Sequence, residues 1–89
     1  MSAHYTIYTM PNCAHCIAAK DLFKREGLEF TEVTEFTREE LLDLVGPVRT
    51  LPQILVKNDK GTWHIGGYTD LIEYRRAGDH PGASVRLLS

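Results

Sequence analysis

The chain has 89 residues, 43% of them hydrophobic, with 10 basic and 12 acidic side chains and a formal net charge of −2. That length allows one domain near the lower size for an unstapled core, and the charge balance argues against general nucleic-acid binding. No apolar run approaches a membrane span, no basic-then-apolar leader opens the chain, and two cysteines make no secreted-type disulfide framework, so a cytoplasmic protein without membrane partners is expected.

His4 to Thr9 alternates around Tyr5, Ile7 and Tyr8 with β-branched and aromatic residues, which predicts a strand. A helix is expected from Cys13 to about Glu26. Ile17, Ala18, Ala19, Leu22 and Phe23 form its apolar stripe, Lys20, Asp21, Lys24 and Arg25 its wet face, and Gly27 its stop. Leu28 to Val33 alternates again, and so short a strand–helix–strand unit implies parallel pairing through a right-handed crossover. Thr37-Arg38-Glu39-Glu40 fits a capping box, with Leu41, Leu42, Leu44 and Val45 at helical spacing before Gly46-Pro47.

Pro52 to Lys57 predicts a third strand, Asn58-Asp59-Lys60-Gly61 a hairpin turn and Thr62 to Ile65 a fourth strand. Gly66-Gly67 opens a turn into a last helix over Thr69 to Ala77, with Leu71, Ile72 and Tyr74 facing inward. Trp63 and His64 are expected on the sheet face, and Glu32, Glu35, Glu39 and Glu40 on a solvated surface. The order is β-α-β-α-β-β-α, an α/β domain over residues 1–77 with four strands. Residues 78–89 carry turn chemistry and are expected to form a loosely ordered tail from which Val85, Leu87 and Leu88 could dock.

Cys13 and Cys16 are the only cysteines, and their spacing lets them close into a disulfide across the first turn of a helix. With Asn12 as N-cap, Cys13 takes the first helical position, where unpaired N–H groups and the positive dipole end favour a thiolate. Cys16, one turn further in, is better covered. Cys13 is therefore expected to attack and Cys16 to resolve. C-x-x-C is also half of a zinc site, but His4, His15, His64 and His80 are not paired at ligand spacing, so no metal is expected.

Two further motifs fall on the same edge, where ligands bind in open α/β sheets. In Arg49-Thr50-Leu51-Pro52 a proline opens a strand. It can be cis, though trans is the commoner state, and its missing N–H leaves the Leu51 backbone free to pair with an extended partner. In Gly66-Gly67-Tyr68-Thr69-Asp70 paired glycines permit close backbone approach, and a helix N-terminus welcomes a carboxylate. His15 places an ionisable ring beside the pair, and it either donates a proton to a leaving thiolate or tunes the field as a solvated residue.

Taken together, Cys13-Ala14-His15-Cys16, Thr50-Leu51-Pro52 and Gly66-Gly67-Tyr68-Thr69-Asp70 resemble the short dithiol glutaredoxins, nearly throughout the chain to about Arg76. The resemblance implies a thioredoxin-like fold with a mixed sheet flanked by helices. It implies a redox-active centre that reduces protein disulfides and glutathione mixed disulfides, with glutathione as co-substrate and no permanently bound cofactor. Electron transport to ribonucleotide reductase, a part in cell redox homeostasis and a monomeric state are implied with it. By position, Pro52 would be cis, Leu51 would bond the cysteinyl part of glutathione, and Arg49 would face its glycyl carboxylate. Thr50, Gly67 and Tyr68 would line the site, while Thr69 and Asp70 would hold the γ-glutamyl end.

Two positions depart from the family pattern. Ala14-His15 stands where Pro-Tyr is usual, replacing an aromatic wall with an ionisable ring. Met10 stands where a Lys or Arg three residues before the nucleophile is usual, removing a cation that helps a thiolate. These departures leave a rival of the same fold, a redoxin recharged by thioredoxin reductase. A carrier whose cysteines join a metal or iron–sulfur site is a further alternative.

Overall fold

The computed structural model describes residues 3–79, residue 82 and residues 85–89. The elements run β1 (His4–Tyr8), α1 (Ala14–Arg25), β2 (Glu29–Val33), α2 (Arg38–Val45), β3 (Gln53–Asn58), β4 (Gly61–Gly66), α3 (Tyr68–Arg76) and β5 (Arg86–Leu87). The sheet order is β2-β1-β3-β4-β5. Strands β1 and β2 are parallel, as the short crossover requires, and the other neighbours are antiparallel.

Alternation sorts the side chains onto two faces. Tyr5 and Ile7 of β1, Ile54 and Val56 of β3 and Ile65 of β4 pack against Ala19, Leu22 and Phe23 of α1 and Leu71 and Tyr74 of α3. Phe23 anchors this layer, with its ring 5.0 Å from both Tyr5 and Phe30. Leu55, pointing the other way from Ile54 and Val56, meets Leu41 and Val45 of α2. Strand β3 is thus covered on both sides and reads as a continuous apolar run, Ile54-Leu55-Val56. Arg75 ties the end of α3 to the end of α1 through Glu26, with its guanidinium 2.7 Å from the carboxylate, and also holds Asp79.

Local sequence chemistry accounts for the helix ends. Thr37 Oγ1 accepts Glu40 N–H at 3.0 Å while Glu40 Oε1 accepts Thr37 N–H at 2.7 Å, the reciprocal box predicted for α2. At α1 the prediction fails by one residue. Asn12 lies at φ 59°, in the left-handed region that asparagine tolerates, and Cys13 takes the N-cap instead. Helix α3 likewise begins at Tyr68, with Gly67 as its cap, rather than at Thr69.

The sheet has five strands where the sequence predicts four. Arg86 pairs with His64 and Leu87 with Trp63, while Leu88 N–H reaches Thr62 O and Thr62 N–H reaches Ser89 O at 2.7 and 2.8 Å. Leu88 packs beside Leu41, Val45 and Leu55, Val85 packs against the other layer, and Leu87 is exposed. The Arg86 guanidinium donates to Val45 O at the end of α2. A two-residue strand has too short a pattern to be read from sequence, and its partner lies across the whole of α3. The rest of the expected tail falls in part on His80, Pro81, Ala83 and Ser84, outside the described residues.

Candidate functional site

Strand β1 leads into Thr9, whose buried hydroxyl donates to Glu32 Oε2 at 2.6 Å and whose N–H bonds Val33 O. Lys20 reaches the same Glu32 oxygen at 2.9 Å. The Thr9 hydroxyl, and then Lys20, hold the Glu32 carboxyl below the usual range. This clasp fixes the strand end from which the Met10–Asn12 turn carries the chain into α1.

Cys13 and Cys16 form a disulfide, with Cα atoms 5.2 Å apart. Both cysteines are buried, Cys13 at 7% exposed and Cys16 at 1%, so Cys13 is the less covered of the two. Its Sγ accepts Cys16 N–H at 3.2 Å, making the sulfur itself the cap of α1. On reduction a thiolate there gains a charge-assisted bond as well as the dipole end. The Leu51 carbonyl oxygen lies 3.6 Å from the same sulfur. The disulfide has no proton to give it, whereas a thiol does, so this carbonyl favours the protonated form and opposes the helix.

The Leu51–Pro52 peptide bond is cis. Among the described residues no acceptor takes the Leu51 N–H. Beside it lies a groove of about 470 Å³. Val48, Thr50, Leu51, Pro52 and Gln53 form one wall, His64 to Asp70 the other, and His15 the rim. Eight of the residues expected from the sequence therefore come together here: His15, Thr50, Leu51, Pro52, Gly67, Tyr68, Thr69 and Asp70. Arg49 is not among them. It is exposed and lines a second groove beyond Leu51 with Met10 and Phe36.

Asp70 Oδ2 accepts Gly67 N–H at 3.0 Å, so the carboxylate closes the N-terminus of α3. A side chain at Gly66 would put Cβ 2.5 Å from that oxygen, at a φ of +121°. Glycine is required there on both counts. The first helical bond is Leu71 N–H to Gly67 O, so the N–H groups of Tyr68, Thr69 and Asp70 precede the ladder and stand at the groove. His15 stacks on Tyr68 with ring centroids 6.0 Å apart and planes inclined by 18°. An imidazole and a phenol thus build the aromatic rim.

His64 and Gln53 line the groove although the sequence places His64 on the sheet face. Gln53 Nε2 donates to Thr50 O at 2.8 Å and Gln53 Oε1 accepts from His64 Nε2, also at 2.8 Å. Because an amide oxygen only accepts, His64 carries its proton on Nε2. Burial, and then the charge of Arg86, push the His64 pKa down. The signal for Gln53 was present in the sequence: a polar residue opening an apolar strand is buried and must find partners. Among the described residues no three or more His, Cys, Asp or Glu cluster as metal ligands, and no helix is long and apolar enough to cross a membrane.

Opening and closing the Cys13–Cys16 bond is two-electron chemistry, and the sheet and helices that carry it are thioredoxin-like. That pairing defines a thiol–disulfide oxidoreductase. Comparison with known proteins narrows the class. The glutaredoxin family model matches residues 5–60. Glutaredoxin of Pseudomonas aeruginosa is 40% identical over 76 residues, 81% of this chain and 84% of that protein. Glutaredoxin 1 of Rickettsia typhi is 36% identical over 77 residues, 81% of this chain and 70% of its own. Reduced glutaredoxin of Escherichia coli superposes with a TM-score of 0.64 at 31% identity, covering 83% of this chain and 94% of that one. The chain belongs to the glutaredoxin family.

Proposed function

We propose that this glutaredoxin draws its electrons from glutathione and reduces protein disulfides and glutathione mixed disulfides. The observation that carries the reading is the groove beside Cys13. It offers the Leu51 N–H to an extended peptide, three helix N–H groups to a carboxylate and the Asp70 carboxylate to an ammonium. Glutathione has a peptide backbone and an α-amino acid end that match this set.

In the forward reaction the Cys13 thiolate attacks a substrate sulfur, forming a mixed disulfide and releasing the substrate's other sulfur as thiolate. Cys16 then attacks Cys13 Sγ, frees the substrate and leaves the Cys13–Cys16 disulfide. One glutathione thiolate opens that disulfide and a second removes the first as glutathione disulfide. Arg49 stands beyond Leu51, on the side toward which the glycyl carboxylate would point. The reading extends to a monomer in the cytoplasm, with ribonucleotide reductase as the first protein substrate to assay. Reduction of a glutathione mixed disulfide coupled to glutathione reductase tests it: turnover that saturates with mixed disulfide is expected, and none at all overturns it.

Met10 favours a second reading, recharge by thioredoxin reductase. An exposed thioether replaces the cation that would serve both the thiolate and a glycyl carboxylate. Rapid reduction of the Cys13–Cys16 disulfide by that reductase, with glutathione inert, would establish it.

A further inference from the structure

Residues 46–52, between α2 and β3, belong to no helix or strand, yet they carry Leu51 to the disulfide. The Leu51 carbonyl oxygen lies 3.6 Å from Cys13 Sγ, and the Leu51 N–H faces the groove without an acceptor among the described residues. What holds the two ends of this loop therefore decides where both groups stand.

At the far end Gln53 Nε2 donates to Thr50 O at 2.8 Å, and His64 Nε2 donates to Gln53 Oε1 at 2.8 Å. A side chain only 4% exposed with both ends of its amide satisfied resists displacement. At the near end the Arg86 guanidinium donates to Val45 O and lies over Gly46, where an added Cβ would come 3.3 Å from Nη2. The last turn of α2 has no basic residue and includes Asp43, so Arg86 brings from β5 the cation which that helix end lacks.

Both holds come from one patch of the sheet. His64 and Arg86 are partners across β4 and β5, on the face from which Leu55, opposite His64, packs against α2. The start of β4 is shaped to admit the chain end: a Cβ at Gly61 would lie 2.5 Å from Ser89 O, at a φ of +138°.

We propose that β5 is a working part of the redox site, in which Arg86 at one end and Gln53 with His64 at the other clamp loop 46–52 and set where Leu51 stands against the Cys13 sulfur. Arg86, Gln53 and His64 are positioning residues, acting through Leu51. This deepens the oxidoreductase reading, with Cys13 as the attacking thiol, and rests on it. The Leu51 carbonyl favours the protonated sulfur, so the clamp tempers the thiolate that the helix promotes, while it aims the Leu51 N–H at an extended substrate.

The test titrates the Cys13 thiol by thiolate absorbance in Cys16→Ser, alone and combined with Arg86→Gln, Arg86→Lys, Gln53→Met or Thr37→Ala. Arg86 lies at the surface, so its replacement spares the core, and glutamine is too short to reach Val45 O as arginine does. With the loop released the Leu51 carbonyl withdraws, and the midpoint is expected to fall by about 0.3 to 1 pH unit in Arg86→Gln and Gln53→Met. Arg86→Lys keeps a long cationic donor and is expected within about 0.2 pH unit of the parent. KM for a glutathione mixed disulfide should rise about three- to tenfold in the two shifted proteins, with kcat within about twofold. An unchanged midpoint in Arg86→Gln overturns the proposal. So does a rise, which is what loss of a cation alone would produce. The same fall in Thr37→Ala, which loosens α2 at its other end, overturns it as well. The titration needs no glutathione, so a midpoint that falls as expected in a protein that turns over no mixed disulfide supports the clamp and removes only the glutathione reading.

Discussion

Replacing Asp70 by alanine and by asparagine separates two roles of one carboxylate. Its Oδ2 accepts Gly67 N–H at 3.0 Å and closes the first turn of α3, so Asp70→Ala strips a cap from a nine-residue helix. A lost cap costs about 1 kcal/mol, and in a domain of this size that lowers Tm by roughly 4–8 °C. Asp70→Asn keeps an oxygen to accept the same N–H, so its Tm is expected within about 2 °C of wild type. It removes the charge, however. A charge-assisted bond to the glutathione ammonium is worth about 1.5–3 kcal/mol, so KM for a glutathione mixed disulfide should rise roughly ten- to a hundredfold in both variants. At saturating substrate kcat should hardly change, because Asp70 touches neither sulfur in the disulfide. Thermal melts and steady-state kinetics on the two proteins suffice. If Asp70→Asn binds mixed disulfide as wild type does, Asp70 is a helix cap alone and the γ-glutamyl assignment is wrong.

Cys16→Ser should still turn over glutathione mixed disulfides but stall on protein disulfides, where the second thiol must release the trapped substrate, and Cys13→Ser should lose both activities; the opposite pattern exchanges the roles. In Cys16→Ser the remaining thiol should ionise below the ordinary cysteine range, because the backbone N–H at position 16 is kept and still bonds the Cys13 sulfur; thiolate absorbance against pH reads this, and an ordinary value would mean that the Leu51 carbonyl outweighs the helix. Burial holds the His64 pKa below its usual 6.5, so the folded state resists a proton that the unfolded chain accepts. Stability should therefore be fully present above pH 6.5 and decline as pH falls toward the folded pKa, and His64→Gln should flatten that part of a Tm-against-pH curve. Thr37→Ala removes half of the α2 capping box and should cost about 1 kcal/mol in a denaturant melt without altering mixed-disulfide kinetics.

Much of the site could be read along the chain because its parts are local. Cys13 and Cys16 are one helical turn apart, Thr37 and Glu40 close a box within four residues, and Asp70 caps a glycine three residues back. Spacing alone encodes such contacts, since the helix that forms them sets the distances. The parallel pairing of β1 with β2 followed from the short crossover in the same way.

What the tertiary structure decided depends on residues far apart in sequence. Whether Asn12 or Cys13 caps α1 turned on how the clasped end of β1 delivers the chain, which left Asn12 in the left-handed region. Strand β5 exists because β4 offers an open edge and α2 offers the Val45 carbonyl, and neither is visible from residues 85–89. The Gln53–His64 bond joins residues of β3 and β4 that only strand pairing brings within hydrogen-bond reach. The division of the edge into a polar and an apolar groove, with Arg49 in the second, is set by where the Leu51 ridge stands between β4 and α2. A sequence can specify which groups are near the thiols, but which side of a ridge each one faces is settled only when the layers pack.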